Sequence, residues 1–311
     1  MVSPSIVVFG NFDGVHLGHK ALLREAAKQR DSLGLPVTVW SFEALPGECL
    51  TPTALRKELL LSEGADAVVF DRFARVREYS PRRFFEEIVL GTLDARAVIC
   101  GFNYSFGYGG KGNAETMAAL CREADIACHI VPEVTADGET VSSTRIRALL
   151  KEGRVEEAAR LLGRPPLFTA AVEGGRHFGR QNGVPTLNQS VPQNLCLPKN
   201  GVYATFCLLD GKAFPAVTNV GVCPTVTDGS RLTVETHILH FDGSLYDQTV
   251  TIGFLAFLRN EKAFPSSDAL YDEIRRNVKE AEKVFEERLN SGELWGTAPN
   301  PPRKLLERRL R

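Results

Sequence analysis

No two of the seven cysteines, at positions 49, 100, 121, 128, 196, 207 and 223, are spaced as CxxC, and their number is odd. Reduced, mostly buried thiols of a cytosolic protein are therefore expected. An excess of one charge is missing too. Lys and Arg total 37 against 38 for Asp and Glu, a formal net charge of -1, so generic nucleic-acid binding is excluded as the expected role, although a local basic patch is not. No run approaches the roughly 18 apolar residues of a membrane helix. The start, MVSPS, also lacks a basic region followed by a long apolar core, so a soluble cytoplasmic protein without a membrane partner is expected. What is present is globular in kind: 43% hydrophobic and 24% charged, over 311 residues, which suggests about two domains.

Residues 6–20, IVVFGNFDGVHLGHK, read as a buried strand, a tight turn and the start of a helix. The apolar run 6–9 stops at Gly10, and Asp13-Gly14 marks a turn. Leu22, Leu23, Ala26 and Ala27 then form one helix face, which Gly34 closes. His16 and His19 fall at the helix N-terminus, where unpaired NH groups and roughly half a positive charge favour phosphate. Gly18 between them lets a ligand approach the backbone. HxGH after a first strand resembles the nucleotidyltransferase superfamily, whose histidines bind ATP phosphates while the α-phosphate is attacked. The longer GNFDGVHLGH, residues 10–19, resembles the adenylyltransferase half of prokaryotic bifunctional riboflavin kinase/FAD synthetases. That resemblance makes His16 and His19 catalytic candidates, and Gly10, Phe12, Gly14 and Gly18 parts of a nucleotide cradle.

Strand-like runs at 36–42, 67–70, 97–100 and 126–131 alternate with helical stretches at 81–90 and 114–124. The pattern predicts a mostly parallel sheet covered on both faces, a Rossmann-like α/β domain of nucleotidyltransferase type. Ligands in such sheets lie beyond the carboxyl ends of the strands, where His16 and His19 would sit. Residues 101–113, GFNYSFGYGGKGN, read on composition as a flexible surface excursion. The family resemblance instead implies a flavin- and ATP-binding loop, with Asn103 and Phe106 as flavin-binding candidates and Lys111 near phosphate. VSSTRIR, residues 141–147, reads as a Ser/Thr helix cap, but Arg145 and Arg147 in its first turns oppose the helix dipole unless an anion lies between them. It resembles the family's SSTxxR motif, which implies that Ser142, Ser143, Thr144 and Arg147 grip ATP phosphates. Where the family commonly carries a Pro-His-Pro-like segment, this chain has Glu43-Ala44-Leu45-Pro46.

A helical segment at 155–162 stops at Gly163-Arg164-Pro165-Pro166, which places a boundary between domains 1–164 and 165–290. Beyond it, β-branched and aromatic runs at 202–209, 214–220, 232–241 and 249–258, separated by Asp-Gly turns, predict a small antiparallel β-barrel, with a terminal helix over 268–289. Residues 172–188, VEGGRHFGRQNGVPTLN, bring glycines every four residues and then PTLN. Glycine amides wrap phosphates, and Thr and Asn oxygens suit Mg²⁺. The segment resembles the riboflavin kinase signature, which implies phosphate contacts at Gly175 and Gly179 and metal contacts at Thr186 and Asn188. NGVYA at 200–204 and NVGVCPT at 219–225 resemble further segments of that family. Glu235 stands where the family places its general base. Alternation puts Thr233, Glu235 and His237 on one strand face and His240 on the other. His129, His177, His237 and His240 are read as structural or surface. Asn277 occupies a position often acidic in the family, and the tail 291–311 has no assigned role.

The resemblance implies a bifunctional enzyme of flavin cofactor biosynthesis. With Mg²⁺ and ATP it would convert riboflavin to FMN, then transfer AMP from ATP to FMN to give FAD and pyrophosphate. The alternatives are the same fold with one active half, or a non-enzymatic flavin or nucleotide sensor.

Overall fold

The computed structural model describes residues 4–173, 186–192, 194–225, 229–243, 245 and 248–295. It divides into two compact units, one running to Cys49 and over Thr53–Ser143, the other comprising Leu50–Pro52 and the chain from Thr144 onward. Two helices, α4 (Ser143–Glu152) and α5 (Val155–Leu162), thus fall almost wholly in the second unit.

The first unit is built on five parallel strands: β1 (Ser5–Phe9), β2 (Val37–Phe42), β3 (Ala67–Asp71), β4 (Ala95–Gly101) and β5 (Ala127–Val131). They lie in the order β3-β2-β1-β4-β5. β1 is fully buried because it lies at the centre of the sheet, Val8 pairing with Val39 on one side and Ile99 on the other, with crossover helices covering the sheet faces. The order reverses at β1, and in open α/β sheets a ligand crevice opens beyond the strand end at such a reversal. Helices α1 (Leu17–Leu33), α2 (Thr53–Ser62) and α3 (Ala114–Glu123) connect the strands. Gly34 stops α1 as expected, its left-handed φ of 66° letting its NH reach the Arg30 carbonyl at 2.8 Å. The expected helix at 81–90 proves to be one α-turn, Pro81–Phe84, that widens into a π-helical stretch, Phe85–Thr92. Apolar spacing alone does not distinguish the two, because the same side, with Phe84, Phe85, Ile88 and Val89, enters the core.

The second unit contains a closed barrel, as the turn pattern predicts. Its strands are β6 (Leu167–Glu173), β7 (Leu187–Gln189), β8 (Gly201–Leu209), β9 (Lys212–Thr225), β10 (Gly229–Ile238) and β11 (Thr249–Arg259), with every neighbouring pair antiparallel. Thr205, Thr218 and Thr236 are wholly buried, and their hydroxyls form a chain across β8, β9 and β10 with spacings of 2.8 and 3.0 Å. The strand expected over 232–241 ends at Ile238. His240 takes a left-handed φ of 57° in the turn that follows and meets Glu282 at 2.7 Å, so it does not lie on the opposite strand face. The terminal helix, α6 (Ser267–Asn290), starts on a Ser266 cap and packs Asn277, Ala281 and Phe285 inward. Asn277 accepts a hydrogen bond from Arg259 Nε at 3.0 Å, while Glu273, one turn earlier, gives the same arginine its carboxylate at 3.3 Å.

Gly201 opens β8 at φ 153°, and a Cβ there would lie 2.7 Å from the Arg259 carbonyl oxygen and 2.6 Å from the Phe257 ring. Gly201→Ala should therefore destabilise the barrel by about 1–3 kcal/mol, read as a lower urea midpoint at unchanged slope.

Candidate active sites

In the first unit, β1 runs out at Phe9 into a loop whose backbone is strained. Phe12 and Val15 adopt left-handed φ values of 54° and 43°, on either side of Gly14 at 81°. For a bulky and a β-branched residue this costs of order 1–3 kcal/mol each, and such strain concentrates where a binding loop is shaped. Both side chains are fully buried, which holds the loop in place. α1 begins immediately afterwards, with His16 as its cap residue and His19 in its first turn.

The two imidazoles stack, with centroids 3.7 Å apart and planes 20° apart, and the Phe12 ring lies 5.1 Å from His19. The His16 backbone NH donates to His19 Nδ1 at 3.3 Å. That bond fixes the tautomer and leaves the His19 proton on Nε2. The ring is half-buried by exposure, and its pKa is held well below the ordinary histidine value, first by burial and then by His16 and Arg56. Neutral His19 is thus a hydrogen-bond donor at pH 7. The sign for stability follows: the unfolded state takes up a proton below pH 6.5 and the folded state does not. Urea unfolding followed by Trp40 fluorescence should therefore weaken from pH 6.5 toward 5.5 by at most about 1.4 kcal/mol per pH unit from this group, and His19→Gln should remove that contribution.

The VSSTRIR segment meets this loop. Ser143 Oγ donates to the Asp13 carbonyl at 2.9 Å across 130 residues of sequence, and the Val141 carbonyl lies 3.7 Å from where a Cβ on Gly18 would be. The Ser143 hydroxyl, a phosphate-binding candidate by resemblance, ties two motifs together. Arg147 Nη2 donates to Thr144 Oγ1 at 3.3 Å within α4. The loop candidates at 101–113 divide: Asn103 is exposed, whereas Phe106 is 6% exposed and packs against Phe84 and Tyr104 at 5.4 and 5.6 Å.

In the second unit, strand register builds a polar row. Asn188 on β7 pairs with Glu235 on β10, which pairs with Asn219 on β9. Directly paired residues share a face, and because Val234 and Thr236 fill the barrel, this row lies on its outer surface. Asn219 Nδ2 donates to Glu261 Oε1 at 3.2 Å. Glu235 keeps solvent contact, yet its pKa is raised, first by the protein atoms crowding it and then by the Glu261 charge. Thr186 and Asn188 are half-buried at the start of this row; Gly175 and Gly179 lie outside the described residues. Neither Asn219 nor Glu261 stands out in the sequence as a neighbour of Glu235: Asn219 reaches it through strand register, and Glu261 lies just past the end of β11, 26 residues further along the chain. Among the described residues no three His, Cys, Asp or Glu side chains converge on a metal position, and Cys49, Cys100, Cys121, Cys128, Cys196 and Cys207 are free thiols. Nor is any described helix long and apolar enough to cross a membrane.

Each half of the chain matches a family of known proteins. Residues 2–145 match the FAD synthetase family and residues 162–285 the riboflavin kinase family. A bifunctional riboflavin kinase/FMN adenylyltransferase of Pseudomonas fluorescens is 34% identical, over 88% of this chain and 90% of its own. Those of Listeria monocytogenes and Escherichia coli K12 are each 31% identical, over 90% of this chain and 92% of theirs. A crystal structure described as a macrolide-efflux protein from Streptococcus pneumoniae has the same fold, with a TM-score of 0.81 at 29% identity, over 91% of this chain and 95% of that one.

Proposed function

This chain belongs to the bifunctional riboflavin kinase/FMN adenylyltransferase family, and we propose how its two halves divide the work and which residues carry each step. The chain phosphorylates riboflavin with ATP to give FMN in its second half, proposed as 165–290. It adenylylates FMN to FAD with release of pyrophosphate in its first half, proposed as 1–164. The observation that carries the kinase reading is the Asn188–Glu235–Asn219 row, which sets a carboxylate with a raised pKa between two asparagines on an open face.

In the kinase, Glu235 accepts the proton of the riboflavin hydroxyl as that oxygen attacks the γ-phosphate of ATP, whose bond to the β-phosphate oxygen breaks to release ADP. A divalent metal, Mg²⁺ in this reading, neutralises phosphate charge when bound with ATP. Half-buried Thr186 and Asn188 would hold it, their neutral side-chain oxygens suiting a hard cation that would arrive with ATP. Gly175 and Gly179 are assigned to the phosphates from the motif. Catalysis then rests on orientation and charge neutralisation, and no covalent intermediate is required.

In the transferase, His19 Nε2 and the NH groups opening α1 receive the phosphates of a second ATP, with His16 stacked beneath. Gly10, Phe12, Gly14 and Gly18 shape the cradle. Ser143 joins the same cradle through Asp13, and Ser142, Thr144 and Arg147 are assigned to the triphosphate by the motif. FMN is assigned to the 101–113 loop, with Asn103 contacting it and Phe106 supporting the loop from the core. The anchored carbonyl of Glu43, held by Thr53 Oγ1 at 2.7 Å, keeps the divergent 43–46 segment attached to the end of β2.

Supplying purified protein with riboflavin and Mg-ATP tests the reading: FMN should appear first and FAD after it. FMN that never proceeds to FAD, even when supplied directly, would leave only the kinase half standing; neither product would leave a binding protein.

A further inference from the structure

Behind the strained loop lies a side chain assigned to neither reaction. Arg56 on α2 is 1% exposed, and it is among the largest fully buried side chains in the protein. Nη1 donates to the Asn11 carbonyl at 3.2 Å. Nη2 donates to the carbonyls of Phe42 and Glu43 at 2.5 and 3.0 Å. The guanidinium also lies 4.8 Å from the Phe70 ring centre, while its Nε has no partner among the described groups. Asn11 is the residue before strained Phe12, and its carbonyl also accepts from Ser41 Oγ at 3.1 Å. Burying a guanidinium is costly unless its forked donors are satisfied. Here they join the GNFDG turn to the end of β2, two segments 30 residues apart in sequence that together border the strand ends.

We infer that Arg56 is a positioning residue for adenylyl transfer: it holds the Asn11 carbonyl, and with it the strained phosphate loop, in receiving shape. This rests on the proposed transferase reading. Arg56 touches no reacting atom in this account; it acts through the loop and through His19. Burial first, then its neighbour His16 and, from α2, Arg56 hold the His19 imidazole neutral, while Arg56 itself faces Asp13 of the same loop and Cys49. A lysine at 56 would keep the charge without the planar fork, and a methionine would keep neither.

The full chain with Mg-ATP and FMN, assayed for FAD and pyrophosphate, separates these roles. Arg56→Met should lower kcat/KM for ATP about 10²-fold, mostly through KM, as expected for a displaced positioning group. The acid limb of its pH profile should move to higher pH as His19 becomes easier to protonate. Arg56→Lys should leave that limb in place and recover about tenfold of the loss, because the charge returns without the forked bonds. Phosphorylation of riboflavin should be unchanged in both. An unchanged ATP KM in Arg56→Met, an unmoved acid limb, or a lysine variant no better than methionine overturns the inference. Should Arg56→Met fail to fold, Ser41→Ala decides: losing the second donor to the Asn11 carbonyl should raise ATP KM severalfold, and wild-type KM there overturns the positioning role. A wild-type chain that makes no FAD at all defeats the transferase reading itself, a result distinct from any of these.

Discussion

Replacing His19 by alanine should lower FAD formation from FMN by about 10²–10³-fold, the usual consequence of removing one preorganised donor from a developing negative charge, while riboflavin is still phosphorylated. The size follows from how the ring is held. Its Nδ1 is engaged by the His16 NH, so the donor is Nε2; its stacking partner lies 3.7 Å away, so the ring cannot swing freely; and its lowered pKa keeps it neutral. Such a donor needs no reorganisation when charge moves onto the phosphates. Alanine also strips the partner from the His16 NH, and for that reason the comparison needs His19→Gln alongside it, read as kcat and KM with FMN at saturation. If alanine leaves kcat untouched, the stacked pair is merely a helix start and the phosphates bind elsewhere.

The second large effect is expected at Glu235. Glu235→Gln should reduce kcat for FMN formation by about 10²–10⁴-fold, the range for losing a general base, with the ATP KM little changed and FAD formation from supplied FMN intact. The substitution is isosteric, and the pairing of Asn188, residue 235 and Asn219 is set by backbone register. What disappears is the proton acceptor alone. A fall in both activities, or a change confined to KM, would move Glu235 out of the reaction and into binding or structure.

Much of this architecture is legible along the chain, and the rest has physical reasons for being hidden. The strand, turn and helix from Ile6 to Lys20 announce themselves because every signal is local: an apolar run, Asp13-Gly14, and a capping Gly34. α2 is harder to see. It lasts ten residues, follows Pro52, and carries Arg56 in the stripe formed by Leu55, Leu59 and Leu60, where a charge normally marks the wet face. β7 spans three residues and follows a glycine-rich stretch, so periodicity has nothing to act on. The overrun of β10 came from Leu239 and Phe241, which continue the apolar run past a turn that His240 makes with a backbone angle more typical of glycine. The contact between Asp13 and Ser143 spans 130 residues and is visible only through family resemblance or coordinates. Asn277, a departure on paper, is accommodated because Arg259 finds its carboxylate at Glu273 instead.

The three interior threonines have an effect on the opposite side of the wall they line. Thr218 and Thr236 face each other directly, so they act as an index mark between β9 and β10, and Thr205 extends the mark to β8. A slip of one residue would turn the hydroxyls outward and drive Glu235 into the hydrophobic interior; a slip of two would keep each side chain on its face but leave the hydroxyls without one another and part Glu235 from Asn219. Both misalignments are penalised inside the barrel, by groups that never meet a substrate. The outer row is therefore kept in step from within, and the open face is free to change its side chains without losing its alignment.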